Sequence, residues 1–194
     1  MIPAGVDAHD GPKGSADLST DGRYRYELRR NLLGNPPHRR RAVAVMLNPS
    51  TADHERNDLT ITKLLGFGSR WGATELIVVN LFAYRATDPD DLALAHRAGT
   101  DIVGPYDDAY VAGALSLAAD GLAVAAWGGR PKALPAELYY RRIEEVVDLA
   151  RRLDRPLTSL GTTKRGDPRH PSRLAYDTEL TPWAPVVDDH PGAS

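Results

Sequence analysis

The sequence predicts a three-layer α/β/α sandwich on a central, mostly parallel four-stranded sheet, with a β-hairpin added at the N-terminus. Three observations carry that expectation. Residues 42–47 (AVAVML), 75–82 (ELIVVNLF) and 122–128 (LAVAAWG) are continuous apolar runs, the pattern of strands covered on both faces. Stretches with apolar residues at helical spacing separate or follow them, at 59–72, 107–121 and 135–156. The chain of 194 residues is 42% hydrophobic and 26% charged, enough to bury a full core without staples.

Taken in order, residues 1–16 are rich in Gly, Ala, Asp and Pro without periodicity and read as a flexible tail, as do 184–194. Residues 17–183 read as one α/β domain. YRYELRRNLL (24–33) alternates as a half-exposed strand, hairpinned across the Asp21-Gly22 turn signal with the residues before it. GNPPHRRR punctuates the chain before the first apolar run. The HRRR within it (38–41) lies at the amino end of that run and reads as a solvated face. PLTSLG (156–161) is expected as the fourth and last parallel strand. This alternation of strand and helix gives layers with right-handed crossovers.

Composition removes several kinds of chemistry. There is no cysteine, which excludes disulfides, thiolate metal sites and a cysteine nucleophile. A reducing cytoplasm is the expected location. No apolar run approaches the roughly 18 to 20 residues of a membrane span, and no basic-then-apolar signal opens the chain. The net charge of −2 and pI ≈ 6.3 give no bulk attraction to polyanions, so nucleic-acid contact would need a local patch. No phosphate-binding P-loop, dinucleotide fingerprint, zinc-protease or nucleophile-elbow motif occurs.

In open parallel sheets the ligand crevice lies beyond the carboxyl ends of the strands. The segments there are NPSTADHERND, NLFAYRATDP, WGGR and GTTKRGDPRHPSRL. Asn48 precedes Pro49, which favours an extended backbone and can aim the amide across the crevice, or else the amide ties its own turn together. Ser50 and Thr51 can cap the helix that begins near Asp58 or hold a phosphate. Asp53 and His54 are a base and its partner or a solvated loop. Asn80, closing a buried strand, offers the donor and acceptor that read the edge of a base. The last segment surrounds His170 and Ser172 with Lys164, Arg165, Arg169 and Arg173, cations suited to phosphate beside a titratable imidazole. Trp127 reads equally as core or as site.

LNPSTAD after one strand, VNLFAYRATDP closing the second, AVAAWG in the third and RHPSRL at the end resemble, in that order, an uncharacterised bacterial family with an LNPSTAD and PRHP signature. More distantly they resemble the uracil-DNA glycosylase superfamily, over about residues 42 to 176. The resemblance implies that superfamily's fold and a metal-independent N-glycosylase without cofactor, acting on a modified or deaminated nucleobase in DNA or in a nucleotide. It implies that Asn48 orients the attacking water, Asn80 reads the base, His170 stabilises charge on the base and Ser172 contacts phosphate. Ser50 stands where the superfamily usually has Gly, so the likeness speaks for the fold more than for uracil specificity. On this reading Asp53 assists Asn48, an aromatic ring of Phe67, Phe82 or Tyr84 stacks on the extruded base, and Ser50, Thr51, Lys164, Arg169 and Ser172 hold phosphates. The alternatives are a non-catalytic module that binds a nucleotide or altered base, and a metal-dependent phosphoesterase using Asp53, Asp58 and Asp88.

Overall fold

The computed structural model describes residues 2–32, 38–50 and 52–185. Its strands are β1 (Val6–Gly11), β2 (Gly14–Ser19), β3 (Arg25–Asn31), β4 (Arg41–Met46), β5 (Glu75–Asn80), β6 (Ala123–Ala125), β7 (Thr158–Ser159) and β8 (Thr181–Pro182). Its helices are α1 (Leu59–Arg70), α2 (Pro89–Arg97), α3 (Asp107–Leu117) and α4 (Ala136–Arg152).

All eight strands form one sheet in the order β1-β2-β3-β5-β4-β6-β7-β8. The expected fold, a mostly parallel sheet of four strands in the manner of the uracil-DNA glycosylases, is therefore corrected. The pairings β1–β2, β2–β3, β3–β5 and β7–β8 are antiparallel, and β4–β5, β4–β6 and β6–β7 are parallel. The physical reason lies in the first thirty residues. The hairpin expected across Asp21-Gly22 is present as β2 and β3, but β3 joins it to the sheet, and VDAHDG, too polar to announce a strand, pairs with β2 as the outer edge; Val6, Ala16 and Leu18 are buried. The segment expected as a tail, residues 1–16, thus contributes β1 and the start of β2 to the sheet. In the expected C-terminal tail, residues 186–194 lie outside the described residues.

The apolar runs divide by alternation. Val43, Val45, Ile77 and Val79 face α2, α3 and α4, in a core completed by Leu92, Leu115, Tyr139 and Val146. Ala42, Ala44, Met46, Leu76 and Val78 face α1 and meet Ile61 and Leu64. Helix α2 was not expected, although Asp88 caps it by accepting the Asp90 amide and Pro89 occupies its first turn. At the amino ends of the strands, Arg41 Nε meets Glu75 at 2.7 Å, which occupies one of the cations in the basic 38–41 run. Among the described residues, no helix is long and apolar enough to cross a membrane.

The ladder between β2 and β3 carries one irregularity. Asp17 pairs with Glu27 but Leu18 pairs with Arg25, so Tyr26 is an extra residue in β3. Such a bulge turns the chain and re-aims the side chains beyond it. Tyr26 packs with the tyrosines at α3, and Arg25 is returned to the face that carries Leu28 and Ala52.

Candidate functional site

A cavity of about 660 Å³ opens beyond the carboxyl ends of β4, β5 and β6, where parallel strands leave their ligand crevice. Met46, Leu47, Asn48 and Ser50 come from the end of β4, Asn80 from the end of β5, and Trp127, Gly128 and Gly129 from the segment after β6. His170, Asp58 at the start of α1, and Asp88 and Asp90 at the start of α2 complete the wall. The β4 and β5 loops are laced by main-chain bonds from Leu81 to Met46 and from Ala86 to Pro49, which fixes the two asparagines relative to each other.

Asn80 is fully buried, and neither its Nδ2 nor its Oδ1 has a partner. An unmatched buried polar group costs about 1–3 kcal/mol, so an amide with both ends unmatched in a cavity wall is poised for a ligand with a complementary acceptor and donor. Asn48 is arranged differently. Its Nδ2 donates to the carbonyls of Ala86 at 2.8 Å and Pro49 at 3.0 Å. With both hydrogens committed to main chain, the side chain presents its Oδ1 as an acceptor, as a group orienting a water should.

His170 precedes a short 3₁₀ turn, Pro171–Arg173, and its Nδ1 accepts the Ser172 amide hydrogen at 3.3 Å, with Ser172 Oγ at 2.9 Å. When Nδ1 accepts, Nε2 carries the ring proton and is a donor. Burial lowers the imidazole pKa, against the pull of Asp58, so the neutral donor form is favoured. Gly128 has φ +80° and runs directly against this ring, and its carbonyl accepts from the buried Tyr139 hydroxyl at 2.8 Å.

The structure brings together Asn48, Asn80, Ser50 and His170 of the residues expected in the site. It separates others. Phe67 is packed between Trp71 and Tyr176, at ring distances of 5.6 and 5.2 Å, and Phe82 is fully buried beneath α2 and α4. Tyr84 makes an edge contact with Tyr24. None of the three lines the cavity; Trp127 is the aromatic side chain that does. Asp53 closes a turn instead of facing the crevice. Burial opposes its ionisation, but its Oδ1 accepts the amides of Glu55 and Arg56, both at 2.9 Å, and the carboxyl is held below the ordinary range. Lys164 and Arg169 are exposed on the 161–170 segment, and Ser172 serves His170. Thr51 lies outside the described residues.

Sequence reasoning missed Arg25, which lines the cavity and is 2% exposed. Its position depends on the β3 bulge, which no periodicity announces. Asp58 and Asp88, weighed only as metal ligands of a phosphoesterase, are helix caps instead, accepting the amides of Ile61 and Asp90, so the cap of α1 is Asp58 and not Ser50. No group of three or more His, Asp or Glu side chains among the described residues is arranged to hold a metal.

The family model described as "Protein of unknown function (DUF1643)" matches residues 25–172. That span begins at Arg25 and ends at Ser172, and so contains all the cavity's wall. No curated protein and no solved structure matches the chain.

Proposed function

We propose that this chain, which belongs to the DUF1643 family, is a metal-independent N-glycosylase that hydrolyses the bond between a nucleobase and its sugar, in DNA or in a nucleotide. The observation that carries the reading is Asn80: a fully buried amide, unmatched at both ends, in the wall of a cavity large enough for a base. A nucleobase edge presents adjacent donor and acceptor groups, the complement of a carboxamide. The succession of Asn48 after β4, Asn80 closing β5 and His170-Pro171-Ser172 after β7 resembles the motif order of the uracil-DNA glycosylase superfamily and supports the same reading. Cytoplasmic location belongs to this proposal too, on the ground that the chain has no cysteine.

The chemistry follows from the arrangement. When the C1′–N bond breaks, its electron pair leaves with the base, and positive charge grows on the sugar. The oxygen of a water forms the new bond to C1′ and releases a proton, which finally returns to the base nitrogen. Asn48 Oδ1 accepts a hydrogen from that water and fixes its approach. His170 Nε2–H donates to the base as negative charge develops, and a preorganised donor of this kind contributes about 2.7–4 kcal/mol to the barrier. Trp127 supplies apolar surface for the base plane.

The test is release of base, followed by chromatography, from DNA and deoxynucleotides carrying uracil, hypoxanthine or bulky 5-substituted pyrimidines, in the presence of EDTA. The native protein should release one of them, and Asn48→Ala and Asn80→Ala should not. Binding without release from any substrate would replace the proposal with a module that recognises a base or nucleotide.

A further inference from the structure

Arg25 poses a problem that the proposed chemistry resolves. The residue is 2% exposed, and none of the ion pairs among the described residues includes its guanidinium. Nη1 donates to the carbonyl of Ala52 at 2.5 Å, and the buried Nε has no partner. A buried cation with no carboxylate in direct contact is costly. Its charged surroundings offset this only in part. Burial brings its pKa down to about 10, Asp58 and Asp53 pull the other way, and Arg85 and Arg30 add to the positive field. Arg30 is spent on the side-chain oxygen of Asn57 and on the carbonyls of Arg29, Asp53 and Arg56. Arg85 holds the carbonyl of Gly22, and its Nε too is buried and unmatched.

The backbone has been bent to put this charge where it is. Without Tyr26 as an extra residue, Arg25 would alternate onto the α3 face of the sheet; with it, Arg25 shares the α1 face and the cavity with Asn80 and Met46. A bulge that delivers an unpaired guanidinium into a cavity wall is a device for an anion that is present only when the site is in use.

Resting on the glycosylase reading, we infer that Arg25 takes up the negative charge of the departing nucleobase, as a second donor beside His170. The electron pair of the breaking C1′–N bond is delocalised onto the base, and the guanidinium faces the anion so formed. The base takes up the proton given off by the attacking water only on release. A permanent cation at this position also disfavours any base that must be protonated before it leaves. The site therefore accepts bases whose negative charge can reside on a ring oxygen substituent, and discriminates against those activated as cations.

The experiment compares Arg25→Met and Arg25→Lys with the native protein on DNA carrying uracil or 5-fluorouracil, which differ in the acidity of the departing base. Arg25→Met should slow release of uracil by roughly 100- to 1000-fold, slow release of the more acidic fluorinated base much less, and Arg25→Lys should recover part of the loss. Calorimetric binding of free 5-fluorouracil, on either side of its own acid dissociation, gives an independent reading. The native protein should bind the anion more tightly than the neutral base, and Arg25→Met should lose that preference. Equal slowing of both substrates, or equal binding of anion and neutral base by the native protein, would overturn the inference. Absence of release from any substrate would remove the glycosylase reading instead, and the calorimetric comparison would then decide the anion role of Arg25 alone.

Discussion

Gly128 and His170 are packed so closely that a Cβ on Gly128 would lie 3.2 Å from the Cβ of His170. Gly128 also has φ +80°, a conformation that only glycine adopts without strain. Gly128→Ala is expected to cost about 1–3 kcal/mol of stability, measured by urea denaturation. It should also displace the imidazole and reduce base release more than base binding. Unchanged release with reduced stability would show that the position of His170 tolerates the shift.

The pH dependence of His170 follows from its burial. Its folded pKa is below the ordinary imidazole value of about 6.5, with burial as the cause and Asp58 opposing. Between the folded and unfolded values the unfolded chain binds more protons. The residue's contribution to stability is therefore full above the unfolded value and is lost as pH falls toward the folded one. Base release that depends on the neutral Nε2–H should persist below the ordinary imidazole range. An NMR titration of the His170 ring at or above that range would contradict this.

Asn80 should show function and stability in opposition. Because both atoms of its amide are buried and unmatched, Asn80→Leu, which is close in size and apolar, should raise stability by about 1–3 kcal/mol while abolishing recognition of the base. The urea midpoint and a binding titration check the two halves. A destabilised Asn80→Leu would assign the amide to the fold.

What the sequence disclosed and what it concealed divide along physical lines. β4 and β5 were readable because strands buried on both faces must be apolar throughout, and Asn48 and Asn80 stood out as polar residues ending such runs. The β2–β3 hairpin was readable from the Asp21-Gly22 turn signal, but β1 was not, since an edge strand with exposed residues such as Asp7, Ala8, His9 and Asp10 is held by backbone pairing that leaves no composition signal. The sheet consequently joins the expected hairpin to the four apolar strands and adds β1 and β8, eight in all, where a separate four-stranded sheet was expected. Phe82 resembled a stacking platform because an aromatic ring near a strand end looks the same whether it meets a ligand or the core, and Phe67 proved to be an inner-face residue of α1. Arg25 was hidden for a different reason: its face depends on one bulged residue, and a shift of one position reverses every side chain beyond it.

The pair Asp107 and Arg142 offers a test of how the second layer is fastened. Arg142 Nη2 stands 2.9 Å from Asp107 Oδ2, both side chains being almost wholly inaccessible, and Nε donates to the Leu81 carbonyl at 2.7 Å, so the guanidinium ties α3 and α4 to the chain just beyond β5. Burial pushes the Asp107 carboxyl up, and Arg142 restrains that rise. Arg142→Met alone should therefore cost about 3–5 kcal/mol above pH 8, where it strands a buried carboxylate whose folded value is already raised to about 8 with Arg142 in place. Removing both charges, as Asp107→Leu with Arg142→Met, should recover most of that loss. Without its cation, Asp107 binds a proton more readily in the folded chain than in the unfolded one. The deficit of the single variant should then shrink as pH falls from the variant's folded value toward the native one of about 8 and stay constant below it. A urea series at several pH values checks this. A deficit of constant size would locate the loss in the Leu81 carbonyl, whose need for a donor does not titrate.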